Sequence, residues 1–275
     1  KDNDGDTIFH NGYHSEYLPL AIEAGFNVNN KNKDDATIFH YGHHSEHLAL
    51  AIEKGFNINS IENYHGDNIF HYGYHSEHLQ LAISKGFNIN SKNYNSQTVF
   101  YRDYHPEHFE FAIEYGFNIN FKNPFNDTIF HHGYYSEQLL LAISKGFNIN
   151  SKNNEGETVF HNEHHSKQLQ LAVANGFDIN SKNRWGETIF HRDYHSKYLP
   201  LAISNGFNVN IKNKNNETIF HNGYHSKYLQ LAISKGFDIN CRDKHGYTIF
   251  HHGYHSEYLP LAISKGFNIN LLDKN

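Results

Sequence analysis

The chain has 275 residues, with 29 Asp and Glu against 23 Lys and Arg, a formal net charge of −6 and 38% hydrophobic residues. An acidic chain without a basic stripe lacks the surface that neutralises phosphates, and no stretch approaches the ~20 apolar residues of a membrane-spanning helix. We therefore expect neither a nucleic-acid partner nor membrane insertion. Cys241 is the only cysteine, so no intrachain disulfide can form. A reducing, intracellular and cytoplasmic location is expected.

A phenylalanine recurs at nearly constant spacing along the whole chain. Its copies are Phe9, Phe39, Phe70, Phe100, Phe130, Phe160, Phe190, Phe220 and Phe250, 30 residues apart except for 31 between the second and third. Self-similarity with a period of roughly 20–50 residues is typical of stacked repeats that bury a continuous core together. We therefore predict a single array over 1–275 with nine repeats. Their approximate bounds are 2–31, 32–62, 63–92, 93–122, 123–152, 153–182, 183–212, 213–242 and 243–275.

Each repeat is predicted to open with a polar loop that makes a tight, hairpin-like turn at its tip. The fourth loop position is Gly5, Asp35, Gly66, Ser96, Asn126, Gly156, Gly186, Asn216 or Gly246. Gly, Asn and Asp adopt a positive φ angle at the lowest cost, and they fill eight of the nine positions. In the third repeat the loop is taken to run over residues 63–68.

Two helical segments are predicted after the tip, numbered here in the eighth repeat. Residues 218–221 (Thr-Ile-Phe-His) begin the first segment. Ser226 is the predicted N-cap of a second helix of about ten residues, in which Leu229 shares a face with the residues three and four positions further on. Gly236 is the predicted end of that helix. Residues 237–240 alternate apolar and polar, which predicts an extended return with its apolar side chains inside.

Residues 218–221 and the run 229–240 resemble the ankyrin repeat, whose signature is Thr-Pro-Leu-His, a second helix closed by Gly-Ala, and an Asn further on. The resemblance covers essentially the whole chain in nine copies. It implies an all-α fold, an ankyrin-like α-solenoid of helix-turn-helix repeats with hairpin-like loops. The period is about three residues shorter than the ~33 of the family, and the loss falls after the Thr-Ile-Phe-His run. The first helix is therefore expected to be little more than one turn.

The 25 histidines admit two interpretations. Histidines four residues apart on a helix, such as His221 and His225, can share a metal ion. The resemblance implies instead that the histidine of the Thr-Ile-Phe-His run is structural and bonds to its own Thr and to the neighbouring turn. The matching residues are His10, His40, His71, His131, His161, His191, His221 and His251. The structural interpretation is favoured, because no regular third ligand occurs and tyrosine interrupts the two histidine series at Tyr101 and Tyr135.

No set of residues with catalytic spacing stands out. Cys241 has no distinctive neighbours and no Gly-rich phosphate loop follows a strand pattern. We therefore expect no enzymatic activity, no catalytic residues, and no metal or other cofactor.

Positions that differ between copies are the candidates for partner recognition, because they are free of packing duty. Aromatic residues and Arg dominate interface hot spots. The candidates are Tyr41, Tyr64, Tyr72, Tyr94, Arg102, Phe125, His132, Arg184, Trp185, Arg192 and His252. The leading prediction is a protein-protein interaction scaffold that binds a protein partner along the loop tips and the first-helix face. Neutral variation on a solvated surface is the alternative for these positions.

A structural protein that stacks end to end into a filament is the alternative function. Repeat arrays need polar capping units for solubility, and neither terminal repeat looks capped, since Leu271 and Leu272 stand where other copies carry polar residues. Head-to-tail self-association would cover such ends. The chain also begins inside a repeat and contains no Met. We therefore expect it to be part of a longer array or to be processed at its N-terminus.

Overall fold

The computed structural model describes residues 2–71, 73–101 and 104–271. One six-residue α-helix occurs in each of the nine repeats of this described part. The helices are Leu18–Glu23 (α1), Leu48–Glu53 (α2), Leu79–Ser84 (α3), Phe109–Glu114 (α4), Leu139–Ser144 (α5), Leu169–Ala174 (α6), Leu199–Ser204 (α7), Leu229–Ser234 (α8) and Leu259–Ser264 (α9). Apart from one isolated antiparallel bridge between Ile61 and Asn68, the described residues contain no β-structure. The predicted all-α repeat fold is confirmed.

The chain divides into two compact units, residues 1–124 and 125–275. The first unit contains α1 to α4 and the second contains α5 to α9. Within each unit the repeats stack on their neighbours, as α3 does on α4 and α6 on α5. Each unit is thus a short solenoid built from copies of one element.

Most of the α-helices continue directly from a 3-10 turn. These turns are Ser15–Tyr17, Ser45–His47, Ser76–His78, Pro106–His108, Glu163–Gln168, Asp193–Tyr198, Ser226–Tyr228 and Ser256–Tyr258, and a further one, Ile129–His132, lies in the first segment of its repeat. Turn and helix together span nine residues in the eighth repeat, close to the predicted ten. The predicted N-cap role of Ser226 is wrong. The serine is the first residue of the turn, and no side-chain capping bond forms there.

Each helix ends as the glycine pattern predicts. In the eighth repeat Gly236 has a φ angle of 88° and its N–H donates to the Ile233 carbonyl, while the N–H of Phe237 donates to Ala232. These two bonds form a Schellman motif, which satisfies carbonyls that the helix would otherwise leave without partners. A positive φ angle favours glycine because it has no Cβ atom.

The first helical segment is reduced to a single turn. His221 N–H donates to the Thr218 carbonyl at 3.1 Å, and Gly223 N–H donates to Phe220 at 3.3 Å. Both bonds span three residues, the spacing of a 3-10 turn. The expectation of little more than one turn, drawn from the short period, is confirmed.

The core of each repeat is a pair of phenylalanines closed by the α-helix. In the eighth repeat the rings of Phe220 and Phe237 have centroids 4.8 Å apart at 59°, and the exposed fractions of these side chains are 0% and 5%. Leu229 and Ile239 are also buried. Burying each large apolar side chain contributes about 1.5–3 kcal/mol. The predicted inward direction of the residues after the helix is confirmed.

The loop tips lie side by side within each unit. All nine residues at the fourth loop position have positive φ angles, including Ser96 at 57°. Neighbouring tips are joined by one backbone bond, such as Tyr94 N–H to His65 O at 2.7 Å in the first unit and Lys214 N–H to Trp185 O at 2.8 Å in the second. The variable residues of consecutive repeats are thereby placed in rows.

Candidate partner-binding site

The histidine of the Thr-Ile-Phe-His run ties its repeat to the next one. In the seventh repeat Thr188 N–H donates to His191 Nδ1 at 2.9 Å. Because Nδ1 is thus an acceptor, the neutral ring carries its proton on Nε2, which donates to the Glu217 carbonyl of the next loop at 3.2 Å. Equivalent bonds to the next loop are made by His10, His71, His131 and His161. The structural role that the ankyrin resemblance implies for these histidines is confirmed.

The histidine before the second helix makes another link between repeats. His225 is fully buried, and its Nε2–H donates to the Phe190 carbonyl of the preceding repeat at 2.6 Å. Its Nδ1 therefore accepts, and Ser196 Oγ donates to it at 2.6 Å. The serine that the sequence suggested as a helix cap thus serves the neighbouring repeat.

Burial lowers the pKa of many histidines in both series, such as His191 and His225. The pKa falls to about 4 for His40, His161 and His165, chiefly because the charged ring would lose its hydration. These rings are neutral at pH 7, and Nε2 of His161 and of His165 forms a hydrogen bond to another repeat. Within the described ranges, no group of three or more His, Cys, Asp or Glu side chains is placed to hold a metal ion.

An asparagine series, missed in the sequence analysis, forms a third link. Asn210 Nδ2 donates to the Gly236 carbonyl of the next repeat at 2.9 Å, and its Oδ1 accepts from Asp238 N–H at 2.8 Å. The same amide bridges are made by Asn29, Asn59, Asn90, Asn150, Asn180 and Asn240. The signal in the sequence was an Asn at one fixed position of every copy.

The third repeat departs from the others at its tip. In a regular loop Asn93 Oδ1 accepts from the N–H groups of Asn95 and Gln97. In the third repeat the carboxylate of Glu62 takes this position, in a loop that is one residue longer, and accepts from three backbone N–H groups at 2.5, 2.7 and 3.2 Å. The prediction that this loop begins at Asn63 is therefore wrong, because the longer Glu side chain spans the enlarged turn.

A cavity of about 310 Å³ lies beside this irregular loop. Its wall is formed by His40, Tyr41, Glu62, Tyr64, His65, Asp67 and Tyr74. We call it the tyrosine cavity. The exposed fractions of Tyr41, Tyr64 and Tyr74 are 49%, 78% and 54%. Two of these three tyrosines, Tyr41 and Tyr64, are among the candidates taken from the sequence, and the structure brings them together.

The position of Tyr74 depends on a glycine in the preceding repeat. A Cβ atom on Gly42 would lie 2.6 Å from the ring of Tyr74, closer than any real contact. Gly42 also has a φ angle of 77°, which favours glycine. The ring of Tyr74 therefore packs over backbone, and this contact holds one wall of the cavity in place.

Two buried carboxylates give the tyrosine cavity a negatively charged wall. Glu62 and Asp67 have exposed fractions of only 6% and 3%, and in the described part of the chain no Lys or Arg nitrogen lies within ion-pair distance of either carboxylate. The pKa of Tyr41 is raised, first by burial and then by the negative charges of Asp34 and Glu62. The whole first unit carries 16 acidic and 8 basic residues, against 13 and 15 in the second.

A second cavity, of about 240 Å³, lies between the loops of the third and fourth repeats, and its wall includes His65, Asp67 and Asn93. Thr98 forms part of its wall, and its Oγ1 is buried without a hydrogen-bond partner. In other repeats this oxygen contacts the histidine three residues later, but here Tyr101 replaces that histidine. The interrupted series thus leaves a local defect beside the irregular loop.

The remaining candidates of the first unit are placed as follows. Tyr94 is 62% exposed, but its ring packs over Gly66, where a Cβ atom would lie 2.7 Å away. Tyr72 and Arg102 lie outside the described residues. Tyr94 is therefore fixed by its own unit and offers mainly its outer edge to a partner.

The candidates of the second unit include two arginines that are paired within the chain. Arg184 Nη1 donates to Glu155 Oε1 at 2.7 Å, and the guanidinium stacks 4.4 Å from the centroid of the Trp185 ring. Arg192 Nη2 lies 3.3 Å from Glu187 Oε2. These cations already have counter-charges, unlike the carboxylates of the tyrosine cavity.

Three more candidates of the second unit are exposed. The exposed fraction of Phe125 is 68%. His132 Nε2 lies 3.4 Å from Asp127 Oδ2, and the ring of His252 lies 5.2 Å from that of Tyr247. None of these three residues lines a cavity described above.

Comparisons with known proteins do not assign the chain to a family. No family model matches the sequence, and a search of curated proteins returns no match. The ankyrin resemblance stays a prediction that rests on the residues quoted above. The α-helices of the described residues have six residues each, and none has the length and apolar character needed to cross a membrane.

Proposed function

We propose that the chain is a non-enzymatic protein-protein interaction scaffold of ankyrin-like repeats that binds a protein partner on the loop tips and the adjoining first-turn face. The observation that carries this proposal is the tyrosine cavity, which groups exposed Tyr41, Tyr64 and Tyr74 at the one loop of irregular length. Aromatic side chains in a pocket are the usual anchors of an interface.

The protonation states and contacts of the buried histidines and of Cys241 support a binding function over a catalytic one. Buried His161 and His165 are neutral at pH 7, and Nε2 of each bonds to a carbonyl of another repeat. The thiol of Cys241 is buried and its pKa is raised to about 12, so it supplies no thiolate. A scaffold of this kind acts through its surface, and we place it in the cytoplasm of its host cell.

Site-specific photo-crosslinking tests the proposal. Tyr64 is replaced by p-benzoylphenylalanine, and the protein is irradiated in an extract of its host cell. Tyr115, also in the first unit and 55% exposed at the end of α4, receives the same replacement as a matched control. We expect a discrete adduct with a second protein from position 64 and none from position 115. Equal labelling from both positions, or no adduct from position 64, would contradict the proposal.

End-to-end assembly into a filament is the second candidate function. Ile8 and Ile269 are 70% and 65% exposed, whereas their counterparts Ile38 and Ile239 in other repeats are 1% and 5% exposed. A neighbouring copy stacked on either terminal repeat would cover this apolar surface. Sizing and electron microscopy at micromolar concentration distinguish the two candidates, since discrete monomers would exclude the filament.

A further inference from the structure

We propose that the tyrosine cavity binds an arginine side chain of the protein partner. The inference rests on the proposed function and adds the chemistry of the residue that the cavity receives.

The aromatic wall suits a flat cation. The rings of Tyr41, Tyr64 and Tyr74 line one cavity, and the face of an aromatic ring carries negative potential. A guanidinium group stacks on such faces and is more weakly hydrated than an ammonium group. The second unit contains this contact already, since the guanidinium of Arg184 lies over the ring of Trp185.

Within the described residues, no Lys or Arg nitrogen lies within ion-pair distance of the two carboxylates in the wall. Glu62 accepts only backbone N–H groups, and Asp67 Oδ1 accepts from Asn93 Nδ2 at 2.8 Å. His71 lies 3.8 Å from Asp67, but burial lowers its pKa, so it is neutral at pH 7. The side chain of the nearby Lys31 donates to the Ile61 carbonyl at 3.2 Å. A cation from a partner would therefore meet two buried carboxylates that form no ion pair with a Lys or Arg of the described residues.

One hydrogen bond that other loops receive from the preceding repeat is missing at the irregular loop. His40 is 4% exposed and its Nδ1 accepts from Thr37 N–H at 2.9 Å, so Nε2 carries the proton. Its Nε2 is buried and has no hydrogen-bond partner. His221 lacks this bond too, although its neighbouring loop has regular length. At His40 the missing bond coincides with the cavity.

Arginine fits these features better than lysine. The carboxylates of Glu62 and Asp67 are buried, so they act on a ligand mainly through their field and do not move out to solvate it. A compact ammonium group would lose more hydration on entering than a guanidinium, and it gains less from flat aromatic walls. We therefore expect a preference for arginine.

The test uses three small probes of matched size and the whole chain with ¹³C-labelled tyrosine rings. The probes are the Nα-acetyl methylamides of arginine, lysine and the neutral isostere citrulline. Ring signals are assigned by single Tyr→Phe substitutions. We expect the arginine probe to shift the signals of Tyr41, Tyr64 and Tyr74 and to bind about tenfold more tightly than citrulline. Absence of these shifts, or equal affinity for citrulline or lysine, would overturn the proposal.

Two variants measure separately how the negative charge and the aromatic wall of the cavity contribute to arginine binding. Asp67→Asn keeps an acceptor for Asn93 but removes the charge, and Tyr64→Ala removes one wall. Each is expected to weaken arginine binding by about fivefold or more while the melting temperature stays near that of the parent. The matched control is Tyr224→Ala, the position equivalent to Tyr74 in the second unit, which lies beside Lys227. It should leave arginine binding unchanged, and an equal loss in this control would contradict the assignment.

The two proposals fail in different ways. If position 64 crosslinks to a partner but the arginine probe does not bind, the chemistry assigned to the cavity is wrong and the scaffold function stands. If the arginine probe binds but position 64 yields no adduct, the cavity assignment stands and the partner-binding face is wrong.

Discussion

Ser226 Oγ lies 2.8 Å from Nδ1 of His255, a residue 29 positions further along the chain. The other nitrogen of the same imidazole also bonds to the eighth repeat, since its Nε2–H donates to the Phe220 carbonyl at 2.6 Å. One hydroxyl and one ring thus join the eighth and ninth repeats, and the same pair occurs at Ser196 and His225.

The first prediction concerns this hydroxyl. Ser226→Ala leaves Nδ1 of buried His255 without a donor and should lower the free energy of unfolding by about 1 kcal/mol. Chemical denaturation measures the change. The control is Ser234→Ala, whose hydroxyl is exposed and bonds only to Leu231 in its own helix at 2.6 Å. An equal loss in both variants would show that the hydrogen bond between repeats adds no more to the free energy of unfolding than a bond within one helix.

The second prediction is a loss of stability in acid. Burial lowers the pKa of His40, His161 and His165 to about 4, below the value of about 6.5 in an unfolded chain. The unfolded state therefore binds more protons between these two values. Stability should be constant above pH 7 and fall as the pH drops from about 6.5 towards 4, by up to about 3 kcal/mol for each of these residues. A melting temperature that is equal at pH 7.5 and pH 5 would contradict this.

The third prediction concerns the asparagine series. Asn210→Ala removes both bonds to the following repeat and leaves the Gly236 carbonyl and the Asp238 N–H without that partner. We expect a loss of about 1–2 kcal/mol in the free energy of unfolding. Asn270→Ala is the matched control, since its side chain makes no such bridge in the described residues. If the two variants are equally stable, the bridge does not stabilise the stack.

The fourth prediction uses the single thiol as a probe. Cys241 is 3% exposed, and burial, followed by the negative charge of Asp238, raises its pKa to about 12. Alkylation by iodoacetamide at about pH 8 should be very slow in the folded chain and fast in urea, because only the thiolate reacts. A cysteine placed at exposed position Ser234 in a Cys241→Ala background should react at once. Rapid alkylation of Cys241 in the folded chain would contradict its burial.

The features predicted correctly from the sequence are those that depend on a single residue type at a fixed position. Gly236 ends its helix and the fourth loop position has a positive φ angle, because backbone conformation there is limited by the Cβ atom. Ser226 was assigned wrongly because a hydroxyl before a helix can cap it or bond elsewhere, and only the position of His255 decides between them.

The candidate site was predicted in part. Variation between copies identified Tyr41 and Tyr64, but Tyr74 was overlooked because a tyrosine or histidine is common at its position in the repeat. Glu62 was missed because the extra residue shifts the alignment, and Asn63 looked like the regular loop residue. The negative charge of the cavity depends on which carboxylates are buried, which spacing along a sequence does not reveal.

The hydrogen bonds between repeats affect which gains and losses of whole repeats the gene can tolerate. In the second unit the histidine, serine and asparagine series link one copy to the next at offsets that recur, 26 residues at His191 and Asn210 and 29 at Ser196. Unequal recombination that removes or adds one 30-residue segment there would rejoin the same donors to the same acceptors. The number of repeats in that unit can therefore change while the links between repeats are kept. Recombination in the 31-residue segment between Phe39 and Phe70 would instead delete or duplicate the tyrosine cavity.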